Sequence, residues 1–136
     1  MMGFGSYLIV LADDHPQVRR WIKKLIEESP ELKVAGEVSD GLELLEFLGK
    51  NNPHMVLLDI SMPNLGGIEA TRKIKANYPE IKVLILTMHN SQEYLRCALS
   101  AGADGYLLKE EADTALFPAI SALREGRTYI SPPLAV

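Results

Sequence analysis

Short, nearly continuous apolar runs alternate along this chain with longer stretches in which apolar residues return every three or four positions. The runs are Tyr7 to Ala12, Met55 to Leu58, Val83 to Leu86 and Tyr106 to Leu108. Unbroken apolarity over so few residues suits parallel strands covered on both faces. Lys33 to Val38 is a weaker run, interrupted by Gly36, and it predicts an edge strand. Val18, Ile22 and Leu25 share one face of a first helix. Leu44, Leu45 and Leu48 mark a second, which Asp40 and Glu43 would open as a capping box. Ile68, Thr71 and Ile74 mark a third, and Tyr94, Leu95, Ala98 and Leu99 a fourth that begins after Asn90 or Ser91. Leu116, Ile120 and Leu123 mark a fifth, where Pro118 removes an amide donor and predicts a late start or a kink. The order is strand then helix, repeated along the chain, which predicts a three-layer α/β domain with right-handed crossovers.

That architecture turns attention to the carboxyl ends of the strands, where ligands bind. The first run ends in Asp13 and Asp14, the third in Asp59, the fourth in Thr87 and the fifth in Lys109. Parallel strands would bring all of these side chains to one edge of the sheet. Any one of the acids alone is an ordinary cap or turn residue. Together they gather charge that stability does not require, because crowded carboxylates repel one another. A divalent cation relieves that repulsion, and oxygen ligands favour a hard ion.

The composition narrows the alternatives. With 136 residues the chain fits one domain. A net charge of −4 makes it a poor nucleic-acid binder as a whole. No apolar run approaches the roughly 20 residues of a membrane span, and Met1 to Ser6 lack the features of a secretory leader. Cys97 is the only cysteine and is expected in the core. These points favour a cytoplasmic location without membrane association.

The ordered motifs resemble the receiver (CheY-like) domain of two-component response regulators over about residues 7–126. They are Leu11-Ala12-Asp13-Asp14-His15, Val56 to Pro63 around Asp59, Gly66-Gly67, Leu86-Thr87 and Gly102 to Lys109. The segment Gly126 to Pro132 is similar to the junction in the NarL/FixJ subfamily, whose output is a LuxR-type helix-turn-helix DNA-binding domain. The resemblance implies a flavodoxin-like (βα)5 fold, with five parallel strands in the order 2-1-3-4-5 and helices on both faces. Residues 1–6 would be an extension, 7–126 the receiver and 127–136 the start of a linker to an absent effector domain.

The resemblance also implies roles. Asp59 is the phosphoacceptor for a histidine kinase. Mg2+ or Mn2+ is held by Asp13, Asp14, Asp59 and the backbone carbonyl of Ser61. Lys109 and Thr87 contact the phosphoryl oxygens, and Thr87 with Tyr106 forms the switch. Ser61, Met88 and His89 tune phosphate lifetime or access, Met88 standing where the family usually has a small residue. His15 is expected to start a helix and not to bind metal. The partners implied are the kinase, a second copy in a homodimer that phosphorylation promotes, and DNA through the effector domain. Turnover is expected only as the domain's own phosphotransfer and dephosphorylation. The alternatives are a stand-alone receiver or adaptor, or a phosphohydrolase with an aspartate nucleophile; the lack of a second acid two positions after Asp59 disfavours the latter.

Overall fold

A computed structural model describes residues 6–135, so residues 1–5 of the expected N-terminal extension and Val136 lie outside the described residues. The elements run β1 (Tyr7–Ala12), α1 (Pro16–Ile26), β2 (Leu32–Val38), α2 (Gly41–Lys50), β3 (Met55–Leu58) and α3 (Gly67–Asn77). They continue with β4 (Lys82–Thr87), α4 (Gln92–Ser100), β5 (Gly105–Leu108), a 3-10 turn at Lys109–Glu111, α5 (Ala112–Arg124) and β6 (Tyr129–Ile130). All strands are parallel, in the order β2-β1-β3-β4-β5-β6. The expected order 2-1-3-4-5 holds for the first five strands, but the sheet has six. The sixth comes from the segment expected to be a linker: Tyr129 and Ile130 pair with Gly105 and Tyr106 on β5.

Alternation along the strands divides the core in two. Val10, Ala12, Val56, Leu58, Val83, Ile85, Tyr106 and Leu108 face α2, α3 and α4. Ile9, Leu11, Met55, Leu57, Leu84, Leu86 and Leu107 face α1 and α5. Each of β1, β3, β4 and β5 is therefore apolar on both faces, which is why their runs lack a period of two. β2 lies at an edge as expected, and its register shifts opposite Ile9 and Val10.

Three local expectations come out differently. Cys97 is exposed: on α4 the buried residues are Leu95 and Ala98, and Cys97 falls off that face. α5 starts at Ala112 with Pro118 well inside it, so there is no late start. The ring removes the amide that would have bonded the Thr114 carbonyl and crowds that carbonyl, as an interior proline does. At α2, Asp40 caps as expected by accepting from the Glu43 amide at 2.8 Å, but the Glu43 carboxylate reaches back to the amide of Ser39 at 2.7 Å, one residue before the cap.

Candidate functional site

The strand order reverses between β1 and β3. The chain leaves β1 for β2 on one side and returns to β3 on the other, so the loops after β1 and β3 diverge and leave a crevice between them. Ala12 is paired with Leu58, and the Asp59 amide donates to the Ala12 carbonyl at 3.0 Å. The residues after these strands, Asp13 and Asp59, are consequently neighbours at the crevice, and both are buried.

A close backbone approach holds the far side of the Asp59 loop. The Gly67 amide, at the start of α3, donates to the Ile60 carbonyl at 2.8 Å. A Cβ on Gly67 would sit 2.0 Å from the Asp59 carbonyl oxygen, so only glycine fits there. Asn64 turns the same loop through a left-handed conformation, φ 66°, and its amide donates to Asp40 Oδ2 at 2.7 Å.

Lys109 arrives from the end of β5 and joins the two buried acids. Its Nζ lies 2.8 Å from Asp13 Oδ2 and 3.2 Å from Asp59 Oδ2. Burial draws the ammonium's pKa down, but the bond to Asp13 and the charges of Asp59 and Asp13 outweigh it, and Lys109 is held above its ordinary value. The other Asp59 oxygen accepts from the Ile60 amide at 2.7 Å. Asp14 has no such help: its Oδ1 is buried without a hydrogen-bond partner. Oxygens of Asp13, Asp14 and Asp59 and a ring nitrogen of His15 all lie within 4.8 Å of one another. Two of the three carboxylates share one ammonium, and the third has an oxygen without a hydrogen bond. A divalent cation fits that donor set.

The remaining positions gather on a second line of contacts. The Thr87 hydroxyl, buried at the end of β4, accepts from the His89 amide at 3.2 Å. The Tyr106 hydroxyl donates to the His89 carbonyl at 2.7 Å. Burial first, then Tyr94 and Asp59 nearby, push the Tyr106 phenol up to about 12. The His89 ring hydrogen-bonds the Ser61 hydroxyl at 2.8 Å and stacks on Tyr94 with ring centroids 4.3 Å apart. Sequence reasoning placed Ser61 and His89 separately beside the site; the structure joins them and makes residue 89 the meeting point of Ser61, Thr87, Tyr106 and Tyr94. Met88 is 78% exposed and borders a 340 Å³ recess with Val18, Trp21, Lys109 and Glu110.

His15 and Arg19 carry more than sequence reasoning assigned. His15 is the N-cap residue of α1, as expected, but its side chain makes no capping bond. Its Nδ1 lies 3.1 Å from Asp13 Oδ1 and 3.1 Å from Asp14 Oδ1. Arg19 hydrogen-bonds the Asp13 carbonyl and pairs with Glu37 at 3.3 Å, tying the acid loop to β2. The spacing of Arg19 from the acid pair, one helical turn past His15, was the available signal.

A model of the response regulator receiver domain matches residues 9–121. The transcriptional regulatory protein DegU of Brevibacillus brevis is 40% identical over 124 residues, 91% of this chain and 52% of that protein. The response regulator UvrY of Escherichia coli K12 is 37% identical over 127 residues, 93% of this chain and 58% of that protein. The chain thus spans a little over half the length of these curated relatives. Among solved structures, a LuxR-family two-component response regulator from Aurantimonas sp. SI85-9A1 superposes with a TM-score of 0.91 at 37% identity, covering 96% of this chain and 94% of that one. The isolated receiver domain of RcsB from Salmonella enterica serovar Typhimurium, solved with the phosphomimetic BeF3−, gives 0.89 at 31% identity, covering 96% and 97%. An RcsB–DNA complex gives 0.89 at 31%, covering 96% and 66%.

Proposed function

The chain belongs to the response regulator receiver family, in its NarL/FixJ branch, and we propose that Asp59 accepts a phosphoryl group from a histidine kinase. The observation that carries this reading is the imbalance at the crevice: Asp13 and Asp59 share the single ammonium of Lys109, Asp14 adds a third carboxylate beside them, and its Oδ1 is left without a hydrogen bond.

An Asp59 carboxylate oxygen attacks phosphorus, the bond to the donor's imidazole nitrogen breaks, and an acyl phosphate forms. The carboxylate is already ionised, so no base is needed. The Ile60 amide, bonded to Asp59 Oδ1, orients the carboxylate. Lys109 exchanges part of its contact with Asp13 and Asp59 for a phosphoryl oxygen. Thr87 takes another, giving up the bond to the His89 amide. Asp13, Asp14, Asp59 and the Ser61 backbone carbonyl would hold Mg2+ or Mn2+, whose chemistry is to neutralise the charge of the incoming phosphoryl group. The domain's turnover is limited to its own phosphorylation and dephosphorylation.

Thr87 and Tyr106 both bond to residue 89, which supports their reading as one switch: when Thr87 turns to the phosphoryl group, His89 loses a partner and the start of α4 is released. Ser61 and His89, joined beside Asp59, would tune the lifetime of the phosphate, and Met88 would limit small phosphodonors at the rim. An effector domain beyond the receiver, with residues 127–136 leading to it while β6 and the buried Leu134 pack that lead onto the receiver, belongs to the same proposal, supported by relatives of which this chain covers only 52% and 58%. So do a phosphorylation-dependent homodimer, DNA binding through the effector and a cytoplasmic setting. Among the described residues no helix is long and apolar enough to cross a membrane.

Intact mass after incubation with acetyl phosphate tests the core of this reading. A labile gain of about 80 Da, one phosphoryl group, is expected in wild type with Mg2+, and none in excess chelator or in Asp59→Asn. A chelator-resistant gain, or one that survives Asp59→Asn, overturns it. A wild type that stays unmodified even with phosphorylated histidine kinase also overturns it.

A further inference from the structure

We propose that His15 is a metal ligand of this site, and that its imidazole turns an oxygen site suited to Mg2+ into a mixed nitrogen and oxygen site that prefers first-row transition ions. The inference rests on the reading of the acid cluster as a cation site and adds a ligand and a selectivity to it.

His15 stands where a helix N-cap side chain normally accepts from the first-turn amides. Imidazole is a poor substitute for the short oxygen side chains favoured there, and His15 makes no capping bond. Its ring folds back over the acid pair, Nδ1 lying 3.1 Å from Asp13 Oδ1 and 3.1 Å from Asp14 Oδ1. One ring nitrogen carries at most one proton, so it cannot give a full hydrogen bond to both carboxylates, and Asp14 Oδ1 remains unsatisfied. The same spacing has a natural reading around an ion. Donor atoms at adjacent corners of an octahedron with bonds of about 2.1 Å lie about 3.0 Å apart. The two His15 contacts therefore match the spacing of neighbouring donors around one ion, and an Asp59 oxygen lies with them in the same 4.8 Å cluster.

The backbone holds this arrangement without the metal. The His15 amide donates to Asp13 Oδ1 at 2.8 Å, closing a turn that sets the ring beside the acids, and Arg19 fixes the Asp13 carbonyl from the first turn of α1. The ring is 63% exposed, so it can adjust to an incoming ion without disturbing the core. Imidazole nitrogen suits first-row ions, with affinity rising from Mn2+ through Co2+ to Ni2+, whereas Mg2+ gains little from it.

The test is binding of Mg2+, Mn2+ and Ni2+ to wild type, His15→Ala and Asp14→Asn by calorimetry, with pulsed electron paramagnetic resonance of the Mn2+-loaded protein. Expected are 14N coupling to Mn2+ in wild type that disappears in His15→Ala, and a loss of Ni2+ affinity of about tenfold or more against less than about twofold for Mg2+. Absence of 14N coupling in wild type, or equal losses for Ni2+ and Mg2+, overturns the role of His15 while leaving the cation site standing. Failure of wild type to bind any of the three ions, or undiminished binding by Asp14→Asn, overturns the cation site as well.

Discussion

Two lysine–aspartate groupings lie at opposite ends of the sheet. At the start of β4 and β5, Lys75 bonds Asp104 at 3.0 Å and also donates to the carbonyls of Pro79 and Ile81. Asp104 in turn accepts from the Val83 amide at 2.9 Å. One charge of each sign is present and the donors of Lys75 are spent on fixed acceptors. At the other end, Lys109 is shared between Asp13 and Asp59, Asp14 adds a third negative charge, and its Oδ1, 3.1 Å from the His15 ring, has no hydrogen bond. The first grouping is closed and fastens the α3–β4 connection to the start of β5. The second is open, with electrostatic demand that the chain itself does not meet, and unmet demand is what a ligand can satisfy.

Substitutions should separate the two. Lys109→Met leaves Asp13 and Asp59 facing each other in a buried place, and should cost about 3 kcal/mol in denaturant unfolding without metal while abolishing phosphorylation. It should also flatten the alkaline limb of stability. Lys109 has a folded pKa above its unfolded value, so its contribution is whole below the unfolded value and fades as pH rises through the folded one. A wild-type alkaline limb no steeper than that of Lys109→Met would remove Lys109 from the electrostatic account. Asp104→Ala opens the closed pair at a more exposed place and should cost about 2 kcal/mol, with the extent of phosphorylation of the folded protein unchanged. A phosphorylation defect there would mean the two ends are coupled. Asp14→Asn should raise stability of the metal-free protein by about 1 kcal/mol, because it removes one of three crowded charges. It should also blunt the stabilisation that added Mg2+ confers. A lower melting temperature without metal would count against crowding.

Much of this was legible because strand ends are legible. An apolar run stops where the side chain must leave the core, and Asp13, Asp59, Thr87 and Lys109 each stand at such a stop. Parallel pairing then gathers them whatever the helices do. What escaped depends on tertiary partners. β6 is two residues long, too short for any period, and exists because β5 offers it an edge. Cys97 neighbours Ala98 on a helix with apolar residues around much of its circumference, so only packing decides which of them is buried. Pro118 is a local breaker, but the buried face of α5, Leu116 to Leu123, outweighs one missing hydrogen bond. The roles of His15 and His89 lie in where their rings turn, which no spacing records.

The late strand also alters how the sheet meets its surroundings. Without it, β5 would be a border with unpaired backbone groups, open to strands of other chains. Instead the Ser131 amide donates to the Tyr106 carbonyl and the Ser131 hydroxyl accepts from the Leu108 amide, both at 2.9 Å, while Leu134 is buried and its carbonyl accepts from Gln92 of α4. The border that remains on that side is a two-residue strand that turns away at a proline pair. A protein shortened to end before Tyr129 would expose a sticky seam, and its tendency to aggregate would say more about the cut than about the fold.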